Sequence, residues 1–215
     1  MKVLLVTNTG NDIDKRGHND GIRDTWLRQW KPDHRFVYGN QRGEPRDEGE
    51  IVVEDDTEDS YHSAARRTRG AAQYMLDNGY DFMFKTDVDT YVSVPRLFAT
   101  PFWDHDYYGY IVDGSYYCSG GSGFWISRKG AHALAAALPQ NGYEDVWVGE
   151  TLVKAGIHAA HDKSFVAVDQ HGPPFKWDNP AAWENVTTTH LGRGTGHYNP
   201  EWMRECHRKY TEFFP

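Results

Sequence analysis

The residues of this 215-residue chain that could do chemistry together begin in the stretch Phe82-Met83-Phe84-Lys85-Thr86-Asp87-Val88-Asp89-Thr90-Tyr91-Val92. A short apolar run reads as a buried strand and then breaks into two carboxylates, Asp87 and Asp89. In an extended chain alternate side chains point the same way, so the two acids are expected to aim at one point beyond the strand's end. Ligands of open α/β sheets collect at the carboxyl ends of strands. Two hard oxygen donors there suit Mn²⁺ or Mg²⁺, which could carry a diphosphate. An isolated Asp-x-Asp is also an ordinary solvated turn, so further groups must decide.

A second acid and a histidine complete the candidates. Tyr143-Glu144-Asp145-Val146-Trp147-Val148-Gly149 leads into a helix through Lys154 that Gly156 ends. Glu144 or Asp145 at the helix start could simply cap it. The functional reading is a carboxylate held there as a general base. Among eleven histidines, His190 stands out because it ends the strand-like run Val186-Thr187-Thr188-Thr189-His190 and precedes Gly192, Gly194 and Gly196. Neutral imidazole suits Mn²⁺ as part of a mixed nitrogen and oxygen ligand set; His171 and His197 are runners-up. The lack of an H-E-x-x-H and of a C-x-x-C argues against a zinc protease or zinc finger.

Other elements must hold these groups. Val3 to Val6 reads as a first buried strand, and Thr7 to Asp12, including Asn8, as a polar loop at its carboxyl end, a place for a nucleotide. Neither a G-x-G-x-x-G nor a P-loop Lys occurs there. Ile22, Trp26 and Trp30 recur every four residues, which predicts a helix over 21–30. Strands are expected at Arg35–Gly39 and Ile51–Val53, with an acidic run Glu54–Asp59 after the second. A helix from Tyr61 to Leu76 carries Arg66, Arg67 and Arg69 in its middle. Pro95 opens a short helix through Phe98, and Tyr107–Val112 reads as a strand. Gly120, Gly121 and Gly123 precede a strand ending at Ser127 and imply close backbone approach or positive φ. An Ala-rich helix over Ala131–Leu138 is stopped by Pro139. A strand at Phe165–Val168, a loop rich in Pro and Trp over 171–184 and an amphipathic helix opened by Pro200 follow. No internal repeat or linker interrupts residues 1–215.

Composition bounds the function. The length suits a single domain with a full core. Eight Trp and thirteen Tyr exceed what a core of this size requires, and the surplus suits a cleft that stacks sugars or bases. A formal net charge of −8 argues against a nucleic-acid backbone or an anionic membrane as partner. A polyanionic small ligand would need local Arg, Lys or metal. Cys118 and Cys206 are too few for a disulfide scaffold and are expected to be buried thiols. The chain enters a strand at once and no run reaches membrane-spanning length, so a soluble cytoplasmic protein is expected.

The order of motifs resembles the inverting β-1,3-glycosyltransferases, which include the β-1,3-galactosyltransferases and the Fringe enzymes. Ile22-Arg23-Asp24-Thr25-Trp26 is similar to that family's I-R-x-T-W. Asp56-Thr57-Glu58-Asp59-Ser60-Tyr61 followed by Arg67-Thr68 is similar to its D-x-x-D-S-Y and K-T block, with Arg for Lys. Phe84 to Val92 resembles K-T-D-D-D-x-F-V, with Val88 for the middle Asp. Tyr117 to Ser127 resembles Y-x-x-G-G-G-Y-x-x-S, and Glu144 to Gly149 resembles E-D-V-Y-x-G. The five motifs occur in family order, which is far more specific than any one alone.

The resemblance implies an α/β fold of the GT-A type: a mixed, mostly parallel sheet with helices on both faces. It implies a nucleoside-diphosphate sugar donor, UDP foremost, a Mn²⁺ or Mg²⁺ ion and a glycan acceptor, with the sugar, galactose-like, transferred with inversion. In that reading Asp87, Asp89 and His190 hold the metal and Asp145 is the general base. Arg23, Arg67 and Lys85 lie where the family handles the donor, joined by Asn8, Asp87 and Val88. Gly120, Gly121, Trp125 and Glu144 face the acceptor. The membrane anchor, stem and several cysteines typical of Golgi members are missing, which points to a bacterial or viral cytosolic version. Two other readings use the same groups: a metal-dependent hydrolase or nucleotidyl or phosphoryl transferase, and a non-catalytic sugar-binding module.

Overall fold

The computed structural model describes residues 1–29, 33–39, 43–46, 49–53, 63–139, 142–166, 183–191 and 199–214. In chain order the elements are β1 (Val3–Asn8), α1 (Asn11–Lys15), α2 (His18–Asp24), β2 (Asp33–Tyr38), β3 (Glu50–Val52), α3 (Ala64–Asp77), β4 (Phe82–Asp87), β5 (Thr90–Val92), α4 (Val94–Ala99), β6 (Tyr107–Gly109), β7 (Phe124–Ser127), α5 (Arg128–Ala136), α6 (Glu144–Lys154), β8 (Ala160–His161), β9 (Phe165–Val166), β10 (Thr188–His190) and α7 (Pro200–Phe213). Seven strands form the main sheet in the order β3-β2-β1-β4-β7-β6-β8, and β5-β10-β9 form a small second sheet. The strands from β3 to β4 are parallel; β7 runs antiparallel between β4 and β6, and β8 is parallel to β6.

Both faces of the sheet are covered, which is why its parallel strands are nearly continuous apolar runs. Side chains alternate along β1. Val3 and Leu5 join Phe36, Phe84, Ile22, Trp26 and, from α7, Met203, Cys206 and Tyr210. Leu4 and Val6 join Val37 and Met83 under Ala65, Ala72 and Met75 of α3, Leu134 of α5, and Val148 and Leu152 of α6. Helices α3 and α6 thus press their amino-terminal ends toward the carboxyl ends of β1 and β4. Cys118 and Cys206 are both free and buried, as the sequence led us to expect.

Several expected elements have different bounds. The helix predicted over 21–30 stops at Asp24. Thr25 leaves the helical region (φ −116°, ψ −116°), and a 3₁₀ turn covers Trp26–Gln29. The Thr25 hydroxyl donates to the Gly21 carbonyl at 2.6 Å and so competes with the backbone ladder. Trp26 is nevertheless buried, and its Nε1 donates to the Thr90 carbonyl. The expected Thr7–Asp12 loop is mostly structured: β1 continues through Asn8 because β2 continues to pair with it, and α1 starts at Asn11. Strand β6 stops at Gly109, after which the chain doubles back through an Ile111–Cys118 bridge. Helix α5 starts at Arg128, where the Ser127 side chain caps it, and ends at Ala136, ahead of Pro139.

Trp30, the acidic run 54–59 with the Asp56–Tyr61 motif, His171, His197, Gly192, Gly194, Gly196 and most of the loop 171–184 lie outside the described residues. Among the described residues no helix is long and apolar enough to cross a membrane.

Candidate functional site

A cavity of about 600 Å³ opens at the carboxyl ends of β1 and β4. Parallel pairing sets Asn8 beside Asp87 at its floor. The first turn of α6 supplies Glu144 and Asp145 and the start of α3 supplies Arg67, while His190 comes from the end of β10. The two acids that follow the central strand therefore share one hollow with an acid from a much later helix.

Beneath the cavity lies a closed polar cluster. Lys85 points to the same face of β4 as Met83 and Asp87 and is fully buried. Its Nζ lies 2.8 Å from Asp87 Oδ1 and 2.5 Å from Glu144 Oε2. The other Glu144 oxygen accepts from Asn8 Nδ2 at 3.1 Å and from the Thr68 hydroxyl, which itself accepts from Asn8 Nδ2. Burial pulls the Lys85 pKa down, but the Asp87 and Glu144 carboxylates outweigh it and hold the ammonium charged well above the ordinary lysine range. Burial pushes Glu144 upward more than Lys85 pulls it down, because one cation serves two carboxylates. Both oxygens of Glu144 are thus committed to protein donors. These bonds tie the start of α6 to β1, α3 and β4, while the Glu144 side chain, expected to face the acceptor, also reaches the cavity lining.

At the rim the arrangement is looser. Strand β4 ends at Asp87, and Val88 and Asp89 form the turn into β5. The alternation that would have aimed Asp87 and Asp89 at one point therefore does not hold: Asp87 turns to Lys85, while Asp89 Oδ2 meets His190 Nε2 at 3.0 Å. Asp89 and His190 keep 19% and 16% of their side-chain surface exposed, so the pair is reachable from the cavity. Burial pushes the Asp89 carboxyl up, but the imidazole, the residue's own backbone N–H and Lys85 together hold it below the usual range. A glycine seats the ring: a Cβ on Gly121 would lie 2.4 Å from His190 Nδ1. The Gly121 carbonyl accepts from the Thr90 hydroxyl at 2.7 Å, and the neighbouring Ser122 carbonyl from Thr188 at 2.6 Å. The glycine run is thereby locked to β5 and β10.

These donors fit a divalent cation in chemistry, a carboxylate with an imidazole at the edge of a cavity. Among the described residues, however, no group of three or more His, Cys, Asp and Glu side chains is arranged as a ready ligand set. The expected trio of Asp87, Asp89 and His190 reduces to the Asp89–His190 pair, with Asp87 held by Lys85.

Asp145 is partly exposed and lines the cavity. Its Oδ1 accepts from the Val146 N–H at 2.9 Å and its Oδ2 from the Gly120 N–H at 3.4 Å. Among the described residues its donors are backbone N–H groups, so an oxygen lone pair can still meet an incoming proton. Of the remaining expected residues, Asn8, Arg67, Val88, Gly120 and Gly121 line the cavity. Arg67 is buried there and donates to Ser63 Oγ at 2.8 Å.

Three expected residues lie elsewhere, and the first is Lys85, which is fully buried beneath the cavity with its ammonium on Asp87 and Glu144 rather than set to meet a donor. Trp125 is fully buried and stacked on Phe102 at 3.8 Å, so its ring belongs to the core rather than to the cavity floor. Arg23 pairs with Asp20 at 3.1 Å and covers the Phe36 ring, outside the cavity lining. Thr68, Tyr117 and Tyr143 belong to the site or its support and were given no role from the sequence. A lysine inside the apolar run Phe82-Met83-Phe84-Lys85 was the available signal for the Thr68 cluster, since a buried ammonium demands acids and their donors around it.

No protein-family model matches the chain, and no curated protein does. Solved structures do. A glycosyltransferase involved in the glycosylation of the major capsid of PBCV-1 superposes on 98% of this chain and 100% of its own, with a TM-score of 0.54 at 13% sequence identity. A protein from Desulfovibrio desulfuricans G20, provisionally described as a nucleotide-diphospho-sugar transferase, covers 75% of this chain and 80% of its own, with a TM-score of 0.48 at 12% identity. The first likeness is one of fold: the main sheet with its two helical layers takes the GT-A glycosyltransferase arrangement.

Proposed function

We propose that this protein is an inverting glycosyltransferase that moves a sugar from a nucleoside-diphosphate donor to a glycan hydroxyl. UDP is the nucleotide we favour and a galactose-like hexose the sugar. The observation that carries this reading is the cavity that Asp145, held among the described residues by backbone donors, shares with the acidic tip of β4 and its His190 partner. The motif order described above supports placing it near the β-1,3 group.

In this mechanism Asp145 takes the proton from the acceptor hydroxyl as its oxygen attacks the anomeric carbon. The bond from that carbon to the diphosphate oxygen breaks in the same displacement, and the sugar inverts without a covalent enzyme intermediate. Asp89 and His190 would hold Mn²⁺ or Mg²⁺, which when bound supplies positive charge to the departing diphosphate. Arg67 adds a fixed cation on the cavity wall. Asn8 and Val88 shape the donor side. Lys85 acts from below, by fixing Asp87 and Glu144.

The reading is tested with a panel of nucleotide sugars, each with Mn²⁺, scored by thermal shift and by transfer to oligosaccharides. One nucleotide sugar should stabilise the protein in the presence of metal and be consumed only with an acceptor. Turnover at full rate without acceptor would favour the hydrolase. Glycan binding that survives both chelation and Asp89→Ala would favour the sugar-binding module.

A further inference from the structure

The cavity lining is uneven. Charged and amide groups cluster around the end of β4: Asn8, Arg67, Asp87, and Asp89 with His190. Around the start of α6 the acids Glu144 and Asp145 are accompanied by apolar and aromatic side chains: Val112, Tyr117, Tyr143 and Val146. Val112 and Tyr117 pair through their backbones at 3.1 Å. Tyr117 is pressed onto α6 where a Cβ on Gly149 would approach its own Cβ to 2.4 Å. Asp145 lines the same cavity, two residues after Tyr143 and directly before Val146, and accepts from the Gly120 N–H.

Tyr143 is 63% exposed, among the most open large side chains of the described residues. A single exposed aromatic is ordinary. Two residues before the proposed base, at the edge of its cavity, it is a surface for a flat apolar face. A pyranose offers such a face in its C–H bonds, with hydroxyls at the rim. A diphosphate has none and belongs with the cations.

We infer that Tyr143, which shares the cavity lining with Tyr117, is the acceptor platform: it takes the C–H face of a neutral sugar ring and sets which hydroxyl meets Asp145. The inference rests on the glycosyl-transfer reading and moves acceptor recognition from Trp125 and Glu144 to an aromatic wall. The side chain is largely exposed, so replacing it leaves folding intact.

The test uses the full chain with the donor chosen by the nucleotide-sugar panel, and an array of neutral and acidic oligosaccharides scored for sugar transferred. Wild type and Tyr143→Phe should label the same neutral glycans. Tyr143→Ala should raise the acceptor KM by about tenfold or more, the scale of one lost ring contact, with the donor-induced thermal shift unchanged. The platform is overturned if Tyr143→Ala labels glycans at the wild-type level, if only acidic glycans are labelled, or if the donor is consumed with no glycan labelled. If no nucleotide sugar is bound or consumed, the glycosyl-transfer reading itself fails and the platform with it.

Discussion

Glu144 is 7% exposed, and its two oxygens are taken up by Lys85, Asn8 and Thr68. Asp145, one residue on, faces the cavity with backbone N–H groups as the donors to its carboxylate. Asp87 and Asp89 divide less sharply: Asp87 is bonded to a buried ammonium yet keeps 32% of its side chain exposed, whereas Asp89, paired with His190, keeps 19%. In the Glu144–Asp145 pair one acid is spent on holding the scaffold and the other is left available. A carboxylate closed into a dry network cannot change partners without a large desolvation cost. Chemistry therefore falls to the member whose partners are weak or replaceable.

The widest test of that contrast exchanges charge for amide at the two neighbouring acids. Asp145→Asn should lose transfer by about 10³-fold, the scale of general-base removal, with its melting temperature and donor-induced shift unchanged. Equal losses of activity and stability at position 145 would erase the distinction from Glu144.

The interior cluster should show the opposite signature. Lys85→Met leaves Asp87 and Glu144 facing each other without their cation, and breaking a buried pair costs about 3–5 kcal/mol. That is a fall of roughly 6–20 °C in melting temperature for a chain of this size. The double change Lys85→Met with Glu144→Gln should recover part of the loss, because it removes the stranded charge. If the double variant is no more stable than Lys85→Met alone, the cluster is not organised around that ion pair.

Much of this contrast was legible in the sequence, but not which acid took which part. The run Phe82–Phe84 announced a buried strand, which is present, and the acids after it line the cavity. The Glu144-Asp145 pair announced a helix start. Which of the two faces inward depends on the rotation of α6 against β4. It is fixed by Asn8 and Thr68, distant in the chain, and periodicity does not report such contacts. Trp125 was misplaced because an aromatic beside a glycine-rich turn reads as a sugar platform, whereas Phe84, Phe98 and Phe102 enclose it. The turn at Val88 and Asp89 was hidden because a three-residue strand, β5, pairs with β10 from the far end of the chain.

A smaller effect is expected from the seat of the imidazole. Gly121→Ala would drive a methyl into the His190 ring and separate it from Asp89. On the proposed role of that pair, Mn²⁺ affinity measured by titration calorimetry should fall by about 10–100-fold, the scale reported for misplaced ligand shells. Stability should change little, since the rim pair is not part of the apolar core. Unchanged Mn²⁺ affinity would detach the pair from metal binding.

The mildest prediction concerns a buried titrating group outside both clusters, and it separates acid sensitivity of the sheet from that of the site. His34 on β2 sits with its Nε2 3.1 Å from the Thr7 hydroxyl and its ring edge-on to Phe36. Burial, then Arg23 and Arg35, pushes its pKa down to about 3. The unfolded chain takes up a proton near the ordinary value of 6.5, while the folded chain refuses it until about 3. Stability present above pH 6.5 should therefore drain away as pH falls through that window, by up to about 2 kcal/mol between pH 7 and 5, less where the partly exposed ring admits water. Asp89, also held low, should act only further down, as pH falls through the carboxylate range. His34→Gln, which keeps a hydrogen-bonding partner for Thr7, should flatten the melting curve between pH 7 and 5 and leave the steeper loss below it. A curve that falls as steeply in His34→Gln as in wild type would shift that acid sensitivity away from His34 and onto the other histidines that burial holds low, His18 and His207.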